Sequence, residues 1–342
     1  MISKSVQTQN DDQQYIYDEF EAENFEVASG INYEYIYIKA NNNNNNNTKA
    51  TFLFLHGFPE SFHSWKYQVE YFAHQNFDCL MPNLMGYGKT YSPLDMNEYK
   101  LKSMVNHLGS LLDYLNLNKV IVVGHDWGTQ LANRFVLYYP QRTLGLVMIN
   151  GGYGAPALFD LDLAIEYSKQ VYGYETLGYW KFFIADDAAE IMENNVESFT
   201  DLGFAKDPLL WKTDLAPIEK LRNWLLNGNT TTRASYMTDD DYKNFRQYIV
   251  EGMKPKLNWY KSQVANINWN DEMSLDPIIQ RPVLSIGGTK DYVVIASTAA
   301  EQKRYIADLD IITLEAAHWT MIEKSDEVNR AMHIWTKRIL SM

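Results

Sequence analysis

The sequence predicts an α/β protein with a doubly wound, mostly parallel sheet that is interrupted by a helical insertion. Short apolar runs alternate with helical patterns in both the first and the last part of the chain, whereas the stretch between them lacks a convincing strand. The 342 residues, 46% of them hydrophobic, provide ample material for a core. We expect a core domain of residues 1–152 and 272–342 and a helical cap domain of residues 153–271.

The predicted strands are short apolar runs with helical patterns between them. They lie at 32–39, 51–55, 77–81, 120–123, 144–149, 282–286 and 310–314. Leucine, methionine and valine recur with helical spacing over 101–115, which predicts a helix with one buried face. The run of seven asparagines at 41–47 cannot build a core, and we interpret it as a surface hairpin loop.

Composition excludes several classes of protein. The 43 acidic and 30 basic residues give a net charge of −13, which disfavours nucleic acid as a partner. No apolar run approaches the roughly 20 residues that a membrane-spanning helix needs. Cys79 is the single cysteine, so no intrachain disulfide can form, and we expect it to be a buried thiol. The N-terminus resembles no secretory signal, which favours a cytoplasmic location.

The predicted strand at 120–123 leads into a tight turn with the sequence GHDWG at 124–128, and a helix follows. Small residues on both sides of a central residue are typical of the nucleophile elbow of α/β hydrolases, which raises that side chain above the sheet. Asp126 occupies this position, where serine is commoner. Asp126 as a simple helix cap is the alternative, but the flanking glycines favour a nucleophile.

A carboxylate nucleophile restricts the chemistry. It is ionised at neutral pH without a base, and it can attack a saturated carbon to form an alkyl ester. Hydrolysis of that ester then needs an activated water and an oxyanion hole. Epoxides and alkyl halides are the two substrate classes that fit. The expected oxyanion donors are the backbone N–H groups of Trp127 and of Phe58, which lies in the loop HGFPES at 56–61.

A base and an orienting acid should follow later strands, in the chain order nucleophile, acid, histidine. Asp291 lies just beyond one late predicted strand, and His318 lies just beyond the next. Asp271 and Asp276 are alternatives for the acid, but both precede the strand. The sequence therefore predicts a triad of Asp126, Asp291 and His318.

The other histidines offer no competing site. His56 and His125 lie beside the two motifs, and we interpret them as structural. No histidine spacing matches a metal site. We therefore expect neither a metal nor another cofactor.

With these motifs the chain resembles the soluble epoxide hydrolases of the α/β-hydrolase superfamily. The resemblance covers about 33–339 and rests on HGFPES at 56–61, GHDWG at 124–128 and AHW at 317–319. The helical insertion looks similar to that of fungal-type members. No phosphatase domain is expected before the core, in contrast to the vertebrate form.

The resemblance implies further site residues. Two cap tyrosines of this family hydrogen-bond the epoxide oxygen, and Tyr260 matches one of them closely. Tyr179 fits the second position best, with Tyr172 and Tyr174 as alternatives. Glu60 matches a family position that helps to hold the hydrolytic water.

The implied reaction converts a small apolar epoxide and water to a vicinal diol through an ester of Asp126. A haloalkane dehalogenase with the same nucleophile is the first alternative, although Phe58 offers no side-chain donor to a halide. A non-catalytic small-molecule binding protein is the second alternative. Nothing implies membrane insertion, and a homodimer remains open.

Overall fold

The computed structural model describes residues 21–40 and 48–341, and its strands form one eight-stranded sheet. The strands are β1 (Glu23–Ala28), β2 (Ile31–Ile38), β3 (Thr51–Leu55), β4 (Asp78–Pro82), β5 (Val120–His125), β6 (Thr143–Ile149), β7 (Val283–Gly288) and β8 (Leu309–Leu314). Their order is β1-β2-β4-β3-β5-β6-β7-β8. β1 and β2 are antiparallel to their neighbours, and the remaining six strands are parallel. The predicted α/β fold is confirmed.

The structure differs from the prediction in two respects near the β1 edge of the sheet. β1 was not predicted, because most of its residues are exposed and form no apolar run. The predicted hairpin between β2 and β3 is absent among the described strands, since β4 lies between them in the sheet. The asparagine tract at 41–47 itself lies outside the described residues.

Helices follow most of the parallel strands and also fill the long connection between β6 and β7. They are α1 (Lys66–His74), α2 (Leu101–Tyr114), α3 (Trp127–Tyr138), α4 (Leu161–Tyr172), α5 (Trp180–Phe183), α6 (Ala188–Asn194), α7 (Val196–Gly203), α8 (Lys220–Leu226), α9 (Asp239–Val250), α10 (Lys254–Val264), α11 (Trp269–Glu272), α12 (Thr320–Glu323) and α13 (Ser325–Leu340). Short 3₁₀ segments occur at Phe62–Trp65, Met96–Glu98, Pro140–Arg142 and Ala296–Arg304, and a π-helical turn at Trp211–Leu215.

The central strands are buried because helices cover both faces of the sheet. α1 packs against α13, and α2 packs against α3. Every residue of β3, β4 and β5 is buried, including the thiol of Cys79. In the sequence, such strands are continuous apolar runs rather than alternating patterns. The predicted bounds of these strands therefore agree with the observed ones to within a few residues.

The carboxyl ends of the parallel strands meet at one edge of the sheet, where ligands bind in open α/β folds. The loops after β3, β5, β7 and β8 carry Phe58, Asp126, Asp291 and His318 respectively. Residues distant in sequence therefore converge at this edge.

No helix within the described residues is both long enough and apolar enough to cross a membrane.

Candidate active site

Asp126 lies at the turn between β5 and α3, in a backbone conformation that is rare for a residue with a side chain (φ 49°, ψ −122°). Two glycines permit this turn. A Cβ on Gly128 would overlap the carbonyl oxygen of Leu55, and a Cβ on Gly124 would overlap the carbonyl of Gly128. The GHDWG sequence is therefore required by close backbone approach, as the elbow pattern predicts.

Backbone N–H groups face the carboxylate of Asp126. The N–H of Phe58 donates to Oδ1 at 2.9 Å. Burial raises the pKa of Asp126, while the charges of His318 and His125 and the N–H groups of Trp127 and Phe58 oppose that rise. The two predicted oxyanion donors thus already stabilise negative charge on this carboxylate.

His318 lies between two carboxylates. Its Nδ1 is 2.7 Å from Oδ2 of Asp291, and its Nε2 is 3.7 Å from Oδ2 of Asp126. Both His318 and Asp291 are buried. The close Asp291 contact fixes the orientation of the ring and favours a proton on Nδ1, which leaves Nε2 facing Asp126.

Asp291 is held by a dense set of hydrogen bonds. The backbone N–H groups of Val293 and Val294 donate to its Oδ1, each at 3.0 Å, and Nδ2 of Asn150 donates to its Oδ2 at 2.8 Å. Burial alone would raise the pKa of Asp291, but His318 and the two backbone N–H groups hold it below its usual value. Asp291 is therefore anionic at neutral pH.

Tyr179 and Tyr260 face the same space as Asp126. Tyr179 caps α5 and Tyr260 lies in α10, with their ring centroids 6.2 Å apart. Burial raises the pKa of both phenols, and the negative charge of Asp126 raises them further. Both hydroxyls therefore remain protonated and can donate hydrogen bonds.

The alternatives considered for these roles lie elsewhere. Tyr174 donates to the backbone oxygen of Tyr292 at 2.8 Å, and Tyr172 is only half-buried on α4. Neither lines a cavity that reaches Asp126. Asp271 lies within ion-pair distance of two surface lysines, and Asp276 accepts a hydrogen bond from a nearby backbone N–H.

Glu60 and His125 form a buried pair behind Asp126. Glu60 Oε1 is 2.5 Å from Nδ1 of His125 and accepts the N–H of Gly57, while Nε2 of His125 contacts the carbonyl oxygen of His318 at 3.0 Å. Burial by itself lowers the pKa of His125, but Glu60, with Asp126 and that carbonyl, raises it to about 8. The pair thus supports the loop that carries His318.

Two cavities meet at Asp126 and Tyr179. One has a volume of about 330 Å³ and extends along α3 toward α11. The other, of about 40 Å³, is lined mainly by aromatic and aliphatic side chains and includes Tyr260 and His318. Glu60 lines neither of these cavities but a separate one of about 30 Å³, so its water-holding role remains a prediction.

The structure thus brings together most of the sequence-predicted residues at one site. These are Phe58, Asp126, Trp127, Tyr179, Tyr260, Asp291 and His318. Sequence reasoning missed Asn150, which immediately follows β6 and whose strand-end position was the available signal. Among the described residues, no three His, Cys, Asp or Glu side chains cluster in a way that could hold a metal ion.

The sheet order and the elbow after β5 define an α/β hydrolase. A family model described as the alpha/beta hydrolase fold matches residues 50–325. Epoxide hydrolase 3 of Siraitia grosvenorii is 40% identical over 297 residues, covering 82% of this chain and 90% of the relative. The chain therefore belongs to the α/β hydrolase fold family and, within it, to the group of the epoxide hydrolases.

One further relative and one solved structure are also similar to this chain. Bifunctional epoxide hydrolase 2 of Mus musculus is 28% identical over 286 residues, covering 82% of this chain. The chain spans about half the length of this mammalian relative (50%). The solved structure of an epoxide hydrolase from Vigna radiata has the same fold, with a TM-score of 0.75, 21% identity and coverage of 93% of this chain and 98% of that one.

Proposed function

We propose that this protein hydrolyses an epoxide to a vicinal diol through a covalent ester of Asp126. One observation carries this proposal: two protonated tyrosines, Tyr179 and Tyr260, share a buried space with a carboxylate that already faces two backbone N–H donors. An oxygen leaving group must be protonated, and a tyrosine pair suits that need. The names of the relatives agree with this activity.

In the first step, Tyr179 and Tyr260 hydrogen-bond the epoxide oxygen, and an oxygen of Asp126 attacks one ring carbon. The C–O bond of the ring breaks, and one tyrosine gives its proton to the departing oxygen. The product of this step is a hydroxyalkyl ester of Asp126. The tyrosinate recovers its proton from solvent before the next turnover.

In the second step, Nε2 of His318 takes a proton from water, and the resulting hydroxide attacks the carboxyl carbon of Asp126. The N–H groups of Phe58 and Trp127 stabilise the oxyanion, and each lowers the free energy of the transition state by about 3 kcal/mol. The ester bond breaks, and the departing alkoxide takes the proton that His318 holds, which completes the diol and returns His318 to its neutral form. The carboxyl group of Asp126 then gives its proton to solvent, and the carboxylate is regenerated. Asp291 stabilises the positive charge that His318 acquires.

We also propose that residues 153–271 form a cap on the core of residues 1–152 and 272–342. Two contacts support this division. Tyr260 in α10 packs edge-on against Trp127 of α3, with ring centroids 5.0 Å apart. Nε1 of Trp259 donates to the backbone oxygen of Met85 at 2.9 Å. The insertion would thus exclude bulk water from Asp126.

The test is to incubate purified protein with styrene oxide, stilbene oxide and bromoalkanes, and to quantify diol and halide. Diol formation that is lost in Asp126→Ala is the expected result. Halide release without diol would assign the chain as a haloalkane dehalogenase. Ligand binding by folded protein without either product would assign it as a binding protein.

A further inference from the structure

A row of polar side chains runs along α3 from the nucleophile. Gln130 and Arg134 are four residues apart in α3, so they lie on the same face of the helix, and Asp126 immediately precedes its first residue. With a rise of 1.5 Å per residue, Arg134 lies about 10 Å along the axis of α3 from its first residue, Trp127. Asp126, Gln130 and Arg134 all line the 330 Å³ cavity.

The part of this cavity farthest along α3 is polar, and the two charged side chains there are paired with each other. Nε of Arg134 is 2.7 Å from Oε1 of Glu272, and Nη1 of Arg134 donates to the backbone oxygen of Gly154 at 2.7 Å. Arg134 is 3% exposed and Glu272 is 4% exposed, so the pair is largely removed from bulk water. Each charge therefore depends on the other for compensation.

Two amide side chains that line the 330 Å³ cavity, Gln130 on α3 and Gln263 on α10, have no partner within the described residues. The side chains of Gln130 and Gln263 make no hydrogen bond to any residue in the part of the chain that the structure describes. Two neighbouring amides differ: Asn266 donates to the backbone oxygen of Phe159, and Asn268 accepts the N–H of Leu101. Gln130 and Gln263 thus keep both a donor and an acceptor for a ligand.

The smaller cavity that also reaches Asp126 is more apolar. Its volume is about 40 Å³, and Phe58, Phe183, Phe199 and Leu215 form much of its wall. An epoxide ring at Asp126 would therefore project one substituent into a small apolar space and the other along the polar row.

We propose that the substrate is an epoxide with two unequal arms, of which the longer carries a hydroxyl or another neutral hydrogen-bonding group that binds Gln130 and Gln263. This inference rests on the proposed function. A purely apolar arm would displace water from these amides and would not replace the hydrogen bonds that the water makes. A carboxylate would meet the negative charge of Glu272, and Arg134 is already paired.

The test compares three ten-carbon 2,3-epoxides, which carry a methyl group as the short arm and differ only at the far end of the long arm: an alkane, a primary alcohol and a carboxylic acid. Diol formation gives kcat/KM for each. We expect the alcohol to exceed the alkane by about tenfold, because hydrogen bonds to the amides are made only with the alcohol. The acid should be the poorest of the three substrates.

The variants Gln130→Leu, Gln263→Leu and their combination remove the two amides. We expect the combined variant to bring the alcohol-to-alkane ratio of kcat/KM near one. Gln170→Leu is the matched control, since Gln170 is an exposed amide on α4 that contacts Glu166, and it should keep the ratio of the unmodified protein.

Each other outcome has a distinct meaning. Equal hydrolysis of alkane and alcohol by the unmodified protein would overturn this inference and leave the proposed function standing. Preference for the acid would also overturn it, since the binding group would then be anionic. Hydrolysis of none of the three, nor of styrene oxide, would overturn the proposed function and this inference together.

Discussion

The Nε2 atom of His318 lies 3.7 Å from Oδ2 of Asp126, which is beyond hydrogen-bond distance. A serine nucleophile would need a direct hydrogen bond to that nitrogen, because the base must remove its proton. A carboxylate is already ionised and needs no such contact. The separation therefore suits a base that acts on water after the ester has formed.

Replacing Tyr260 by Phe should slow ring opening. The variant keeps the ring that packs against Phe58 and Trp127 but loses the hydroxyl that would protonate the epoxide oxygen. We expect the single-turnover rate of ester formation to fall by roughly 10²-fold. Rapid mixing with styrene oxide, followed by tryptophan fluorescence, measures this rate.

Tyr172→Phe is the control for that prediction, because Tyr172 is half-buried and lines neither cavity at Asp126. Its rate should match that of the unmodified protein. If Tyr260→Phe opened the epoxide as fast as the control, protonation by Tyr260 would be excluded.

The pKa of His125 should lie near 8 and should depend on Glu60. In the variant Glu60→Gln the main opposing charge is lost and burial dominates, as it does for His56, whose pKa burial lowers to about 4. We therefore expect the pKa of His125 to fall below that of a free histidine. NMR titration of protein with ¹⁵N-labelled histidine reads both values. A pKa that Glu60→Gln leaves unchanged would refute this pairing.

The same pair should make stability pH-dependent. The folded pKa of His125 is raised above the usual 6.5, so its contribution is fully present below about pH 6.5 and is lost as the pH rises through about 8. The expected loss in the free energy of unfolding is on the order of 2 kcal/mol. Urea unfolding at pH 6 and at pH 9 measures it. The decrease should be smaller in Glu60→Gln, and an equal decrease would contradict the assignment.

Gly128→Ala should destabilise the fold. The added Cβ would overlap the carbonyl oxygen of Leu55, a backbone atom that cannot move without shifting β3. We expect a loss of about 3 kcal/mol or more in the free energy of unfolding. Gly203→Ala is the matched control, because a Cβ there meets no atom within 4 Å and alanine favours helix α7. Equal stability of the two variants would show that the elbow tolerates a side chain at residue 128.

The core of the site could be predicted because of how parallel strands are arranged. Asp126 and Asp291 follow the buried strands β5 and β7, and His318 follows the edge strand β8, which is only partly buried. All three strands are parallel, so their carboxyl ends meet at one edge of the sheet. Their positions just after parallel strands were therefore sufficient to predict that the three side chains lie close together. The central strands could be predicted for a different reason. Strands that are buried on both faces consist of continuous hydrophobic runs, which are visible in the sequence.

Other features depend on contacts between distant parts of the chain, which no local sequence pattern indicates. Glu60 and His125 are 65 residues apart, and neither has a spacing that indicates the other. The exposed strand β1 leaves no apolar run, and the position of β4 between β2 and β3 is a property of the sheet order. The resemblance favoured Tyr179 over Tyr172 and Tyr174 but left all three open, and only the packing of the insertion shows that Tyr179 alone of the three lines the cavities at Asp126.

The most direct measurement is mass spectrometry of His318→Gln after incubation with styrene oxide. We predict that Asp126 still opens the epoxide but that the ester is not hydrolysed. The intact protein should therefore gain the mass of one substrate molecule, located on the peptide that contains Asp126. Sustained diol formation by this variant without a stable adduct would contradict the assignment of His318 as the base of the second step.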